Sequence, residues 1–277
     1  MQDSAVIKNI PSLNDYYRRV SFGFAAGRLG LNPERIAECT DRKDYLAAEL
    51  PGEYLFGLGE NELEKLRKRF RRLHCGNLLA PELTTLILDA GGNMQQEFLR
   101  TCAGIFRQMA DHRILAGALD FSLIQTLRDD ARQKKLSALL RKLHPALQET
   151  GITLLLPVRL PLPDPALKEK ITRFLSDTMI PRLKLRLEIY PHELKQNFDP
   201  VEIAGTLRLE TASVLFCCNA DCGNRLIRPH LTPWMRYFAL TGFPGPFLFC
   251  PFSQDNRLAA PESESYSRLS EELSKVR

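Results

Sequence analysis

Short apolar, β-favouring runs alternate with segments of helical periodicity along the whole chain, and this rhythm restricts the possible folds more than any other feature of the sequence. The strand-like runs fall at residues 20–25, 45–50, 84–89, 114–121, 152–159, 183–190, 212–219 and 247–252. Helical spacing marks 32–40, 61–74, 94–112, 123–150, 165–178, 200–209, 232–241 and 263–277. End signals agree with these ranges: Pro33 stands at a first helical position, and Gly151 stands where a helix that ends left-handed needs a glycine. Pro145 marks a kink or a restart in the long helical segment. A strand that is always followed by a helix returns by a crossover, so the strands pair in parallel, and eight such units close a barrel. The predicted class is α/β, an eight-stranded parallel (β/α)8 TIM barrel forming one domain over residues 1–277. An open doubly wound sheet would carry a glycine-rich phosphate turn after an early strand, and FAAGRLG lacks the spacing for one.

With 277 residues, 44% of them hydrophobic, the chain can bury a large core. No stretch approaches the roughly 18 uninterrupted apolar residues of a membrane span, and MQDSAVIKN lacks the pattern of a secretory leader, so a cytoplasmic protein without membrane contact is expected. The odd number of cysteines, 7, is read as mostly reduced. A net charge of +5 raises the question of an anionic partner, and the densest basic run is Lys65, Arg67, Lys68, Arg69, Arg71 and Arg72. Leu63, Leu66, Phe70 and Leu73 form the apolar stripe of that segment, which leaves the basic residues on a solvated face. No aromatic platform accompanies them, so no nucleic-acid partner is expected. In the loop 52–61, Leu55, Phe56 and Leu58 either cover the barrel mouth as a lid or bury against a second subunit, which leaves a homo-oligomer open.

Chemistry in such a barrel gathers at the C-terminal ends of the strands. In 183–190, the leucines at 183, 185 and 187 with Ile189 share one face, while Lys184, Arg186, Glu188 and Tyr190 share the other. The apolar face meets the helices, so Glu188 comes near the mouth with Lys184 and Arg186 deeper. Glu49, Asp89, Asp120 and Arg159 cap other strands, and Cys218, Asn219, Asp221, Cys250 and His192 join them from the later strands and loops. Glu49, Asp89 and Asp120 can act as general bases or pair with Arg186 and Lys184. Arg159 can bind an anion or pair with Glu188. His74, His112 and His144 fall in or at the ends of outer helices, and His230 opens the seventh. The segment FCCNADCGN looks like a metal motif, but a strand sends Cys217 and Cys218 to opposite sides and no second cysteine pair exists. Cys218, Cys250 and His192 are the one conceivable zinc set.

Three stretches carry a likeness: LLRKLHPALQETG running into ITLLLPVRLP, DYLAAEL in the second strand, and GFPGPFLFCPF in the eighth. In these and in element order the chain resembles the xylose isomerase-like barrels, which include sugar-phosphate isomerases and epimerases. The resemblance implies a carbohydrate ligand and one divalent cation, held by a glutamate on strand five, an aspartate on strand six, a histidine on strand seven and a glutamate on strand eight. The corresponding places here are Pro157, Glu188, Cys218 and Cys250. A proline and two thiols do not suit a hard cation, so no cofactor is expected. The resulting expectation is a sugar or sugar-phosphate isomerase or epimerase-like barrel that is metal-independent or has lost activity. Glu49, Asp120 and Glu188 are its candidate acid/base residues, and Asp89, Arg159, His192, Asn219 and Asp221 its candidate ligand contacts. The alternative is a non-catalytic barrel for ligand binding or assembly.

Overall fold

A computed structural model describes residues 22–26, 46–194, 197–219 and 224–252. Its eight strands are β1 (Phe22–Ala25), β2 (Ala47–Leu50), β3 (Arg72–Cys75), β4 (Ala116–Ala118), β5 (Thr153–Leu160), β6 (Leu183–Ile189), β7 (Thr211–Asn219) and β8 (Phe247–Phe252). They pair in parallel in sequence order and close where β1 meets β8, with Phe22 opposite Phe247. This is the (β/α)8 TIM barrel that the alternation predicts. The helices outside it are α1 (Gly52–Gly57), α2 (Glu60–Arg69), α3 (Pro81–Leu86), α4 (Gly92–Asp111), α5 (Leu123–Thr126), α6 (Asp130–Thr150), α7 (Ala166–Thr178), α8 (Pro200–Ala204) and α9 (Asn224–Leu240). None of the described helices is long and apolar enough to cross a membrane.

Alternation along the strands sorts the side chains into two cores. The outward face carries Leu154, Leu156 and Val158 of β5 and Leu183, Leu185, Leu187 and Ile189 of β6, all packed against helix stripes such as Phe98, Cys102, Phe106 and Met109. Each of these side chains contributes about 1.5–3 kcal/mol by leaving water, which makes this outer layer the main source of stability. The barrel interior holds smaller sets, with Ala25, Ala47, Tyr190, Leu215, Cys217, Leu248 and Cys250 in one and Ala116, Ala118 and Leu155 in another. Small residues on β1, β2 and β4 keep the barrel closed tightly on that side. At Gly23 a Cβ would stand 1.9 Å from the Ala47 carbonyl oxygen, so the β1–β2 contact requires glycine.

Several boundaries differ from the sequence reading. The third strand is Arg72–Cys75, and the run at 84–89 is not a strand: Pro81 starts helix α3 there at its first position. The stripe Leu63, Leu66, Phe70 and Leu73 hides the change, because the first two are buried on helix α2 while Leu73 reaches the same outer core from a strand. The long helical segment does restart, but at Asp129, whose side chain accepts hydrogen bonds from the backbone N–H groups of Ala131 and Arg132. Pro145 lies within the continuous α6, which ends at Gly151 in the left-handed conformation with φ 72°. The loop 52–61 is occupied by α1 and α2, with Leu55 fully buried in the outer core and Phe56 and Leu58 half-buried against that core. The helices predicted at 32–40 and 263–277 lie outside the described residues.

Candidate active site

Strand β6 aims Arg186 and Glu188 inward, two residues apart on one face, and both are only 1% exposed. Glu49 reaches the same space from β2 on the opposite side of the barrel and is equally buried. Arg186 ties the carboxylates together: Nη1 donates to Glu49 Oε1 at 2.9 Å and to the Gly76 carbonyl at 2.9 Å, while Nη2 donates to Glu188 Oε1 at 2.9 Å. Burial strengthens each of these charge-assisted contacts and makes the loss of any one partner costly, by about 3–5 kcal/mol. Lys184, nearer the base of β6, pairs with Glu210 at 2.7 Å.

His74 belongs to this interior. It stands opposite Glu49 in the β2–β3 register and is 4% exposed. Burial first, and then the charges of Arg72 and Arg186, push its pKa down to about 3, so the ring is neutral at physiological pH. The sequence reading left His74 at a helix end because the helix was extended too far.

Above this cluster, at the C-terminal ends of β4, β5 and β6, opens a cleft of about 570 Å³. Glu188 and Pro157 line it from the barrel, Asp120 and Ser122 from the turn after β4, and Arg159 and Glu193 from the rim. The Asp120 carboxylate accepts the Ser122 backbone N–H at 2.9 Å, and the Asp120 carbonyl accepts the Thr84 hydroxyl, which fixes the turn beside the cleft. Ser122 itself is left-handed with φ 48°. Arg159 lies over the Tyr190 ring, 4.2 Å from its centroid, and is ion-paired with Glu193, to which its Nε donates at 3.2 Å.

The cleft thus brings together Asp120, Arg159 and Glu188 of the residues singled out from the sequence. Glu49 does not line it, lying instead in the Arg186 cluster. The expected pairing of Arg159 with Glu188 gives way to two separate ones, Arg159 with Glu193 and Glu188 with Arg186. Asp89 caps no strand: it follows α3, is exposed, and pairs with Arg132 and with Lys135, the latter at 3.1 Å. Hydrogen bonds from Arg132 and Lys135 hold its carboxyl below the usual range. Asn219 ends β7 with its backbone opposite Phe252, and His192 sits in the short 3-10 turn Pro191–Glu193. The side chains of His192, Cys218 and Asn219, and all of Asp221, lie outside the described residues. Glu193, Ser122 and His74 were missed; Glu193 follows Glu188 by five residues, a spacing that strand alternation alone does not interpret.

The inward places on the four strands that would hold a divalent cation are Pro157 and Arg159 on β5, Arg186 and Glu188 on β6, Leu215 and Cys217 on β7, and Leu248 and Cys250 on β8. Cys217 shares the interior with Cys250. Among these described side chains only Glu188 offers a hard oxygen, and a guanidinium is already bound to it, so they do not fit that cation. Among the described residues, no three His, Cys, Asp or Glu side chains group closely enough to hold a metal ion.

No protein-family model and no curated protein matches the sequence. Solved structures do match in fold. A D-psicose 3-epimerase with D-tagatose from Clostridium cellulolyticum H10 superposes with a TM-score of 0.67 at 10% identity, over 93% of this chain and 99% of that one. A 3-keto-D-glucoside 4-epimerase from E. coli gives 0.63 at 13% identity, over 90% and 99%. A xylose isomerase domain containing protein from Salmonella typhimurium LT2 gives 0.60 at 15% identity, over 92% and 96%. The chain therefore shares the parallel eight-stranded barrel fold of these proteins.

Proposed function

We propose that this chain binds a small carbohydrate in the cleft at the barrel mouth and moves a proton on a carbon beside its carbonyl, as a sugar isomerase or epimerase does, without a divalent cation. The observation that carries the proposal is the convergence of Asp120, Glu188 and Arg159 on one cleft of about 570 Å³. Carboxylates, a guanidinium and the Ser122 hydroxyl supply the acceptors and donors that a polyol needs. The fold neighbours named as sugar epimerases support the substrate class by analogy.

In the proposed reaction one carboxylate, Glu188 or Asp120, takes a proton from the carbon next to the carbonyl, and the electron pair moves onto the carbonyl oxygen to give an enediolate. The other carboxylate, entering the reaction protonated, delivers its proton to the opposite face of the same carbon, giving an epimer, or to the former carbonyl carbon while the adjacent hydroxyl proton passes to the former carbonyl oxygen, giving an isomer. Arg159 stabilises the developing oxyanion and must share Glu193 to do so. Glu49 acts indirectly, through Arg186. His192, Asn219 and Asp221 are proposed as further ligand contacts from their places at and beyond the ends of β6 and β7. The misfit between the interior residues and a hard cation supports the metal-free chemistry.

A non-catalytic carbohydrate-binding barrel is the second reading. The Arg186–Glu188 and Arg159–Glu193 pairs favour it, because they occupy charges that catalysis would use. Calorimetric titration of D-tagatose, D-allulose and a ketohexose 6-phosphate into EDTA-treated protein tests what the two readings share. Binding that is weakened in Glu188→Gln and in Arg159→Ala supports the cleft, and an absence of heat for all three ligands contradicts both readings.

A further inference from the structure

The cleft at the barrel mouth carries a positive charge that the proposed proton transfer does not use. Asp120, Glu188 and Glu193 line it together with two guanidinium groups, those of Arg159 and Arg128. Each of the three carboxylates has its own donor: Asp120 the Ser122 backbone N–H, Glu188 the Arg186 side chain, and Glu193 the Arg159 side chain. The acidic residues nearby are engaged as well. Asp129, next to Arg128 in sequence, accepts the backbone N–H groups of Ala131 and Arg132 as the cap of α6, and Asp89 pairs with Arg132 and Lys135. Arg128 follows α5 and is exposed, and its guanidinium makes no hydrogen bond or ion pair with any described residue.

Part of the surrounding wall is apolar, with Ile124, Pro161, Leu162 and Pro163. Such a wall screens charge less than open water does, so an anion that enters the cleft gains more from Arg128 than it would on a bare surface. A guanidinium presents its N–H groups as a planar fork, which matches two oxygens of a phosphate or a carboxylate. We infer that Arg128 recognises an anionic substituent on the sugar, a phosphate monoester or a carboxylate, while Asp120, Glu188 and Arg159 act on the carbons at and beside the carbonyl. The inference rests on the carbohydrate reading of the cleft and narrows its substrate class to sugars that carry a negative group. Arg159 does not fill this role, because Glu193 already neutralises it. Arg128 comes from the segment between α5 and α6, outside the barrel strands, and is separated in the chain by α5 from Asp120 and Ser122.

The test is calorimetric titration of the full chain, treated with EDTA, with D-tagatose, its 6-phosphate and its 6-carboxylate, in wild type, Arg128→Ala and Arg128→Lys. The wild type is expected to bind one of the anionic forms roughly tenfold or more tighter than the neutral sugar, as one charge-assisted contact provides. That preference should shrink with added salt and fall toward unity in Arg128→Ala. Arg128→Lys, which keeps the charge and loses the fork, should fall between the two. The anionic form that binds tighter separates a sugar phosphate from a sugar acid as the ligand. Neutral and anionic sugars bound alike by the wild type would overturn the inference and leave the carbohydrate reading standing. So would an anionic preference that survives Arg128→Ala, or a variant that weakens all three ligands equally. No heat with any of the three would overturn the inference and the carbohydrate reading together.

Discussion

Acid should weaken this protein through His74, and the size of the effect follows from where the ring sits. The imidazole is buried inside the barrel, with Arg72 and Arg186 adding positive charge nearby and Glu49 opposite in register. Its pKa falls from 6.5 to about 3. A base with a depressed folded pKa takes its proton first in the unfolded chain. Stability is therefore intact above the unfolded value and is lost as the pH falls from near neutrality toward about 3. At about pH 5 the unfolded ring is protonated and the folded one is not, which costs about 2 kcal/mol. For a chain of this length that corresponds to a drop of roughly 4–8 °C in melting temperature. Urea unfolding of wild type and of His74→Gln at about pH 7.5 and about pH 5 isolates the term, because other titrating groups are common to both proteins. The gap between the two proteins should shift by about 2 kcal/mol in favour of the glutamine variant at the lower pH. Parallel losses in the two proteins would refute the reasoning, since they would mean that His74 takes up a proton in the folded state.

Other substitutions test the elements that carry the site. Asp129→Ala removes the cap that restarts the chain into α6 and should cost about 1 kcal/mol, read by urea unfolding. Gly23→Ala drives a methyl group into the Ala47 carbonyl and should cost more than about 3 kcal/mol or abolish folding, read by soluble yield and circular dichroism. Met179 is 80% exposed and left-handed with φ 56° at the end of α7, so Met179→Gly should raise stability by about 0.5–1 kcal/mol.

The barrel was legible because its signal is the global alternation of apolar runs and helical segments, which survives errors in single elements. The errors came where the local signal is ambiguous. Residues 84–89 hold threonine, leucine and isoleucine and look like a strand, yet Pro81 favours a helical start. β3 spans only four residues, with Arg72 and His74 on its inner face, so neither length nor apolar content marks it. That one mistake moved His74 from the barrel interior to a helix end and placed Asp89 at a strand end it does not occupy. Glu188 and Arg186 were placed well because β6 alternates strictly. Their partners depend on reach across the barrel, which no spacing along the chain encodes: Arg186 finds Glu49, 137 residues away. Arg159 was placed at the mouth, but its pairing with Glu193 depends on the turn after β6.

The most direct test of the central proposal is proton exchange in D2O, followed by nuclear magnetic resonance on D-tagatose and D-allulose with EDTA-treated protein. Deuterium should enter at the carbon beside the carbonyl, with the epimer or isomer appearing alongside, and both signals should vanish in Glu188→Gln. Exchange that appears only when Mn²⁺ is added would contradict the metal-free chemistry, and a bound sugar that never exchanges would leave this chain a carbohydrate-binding barrel without catalysis.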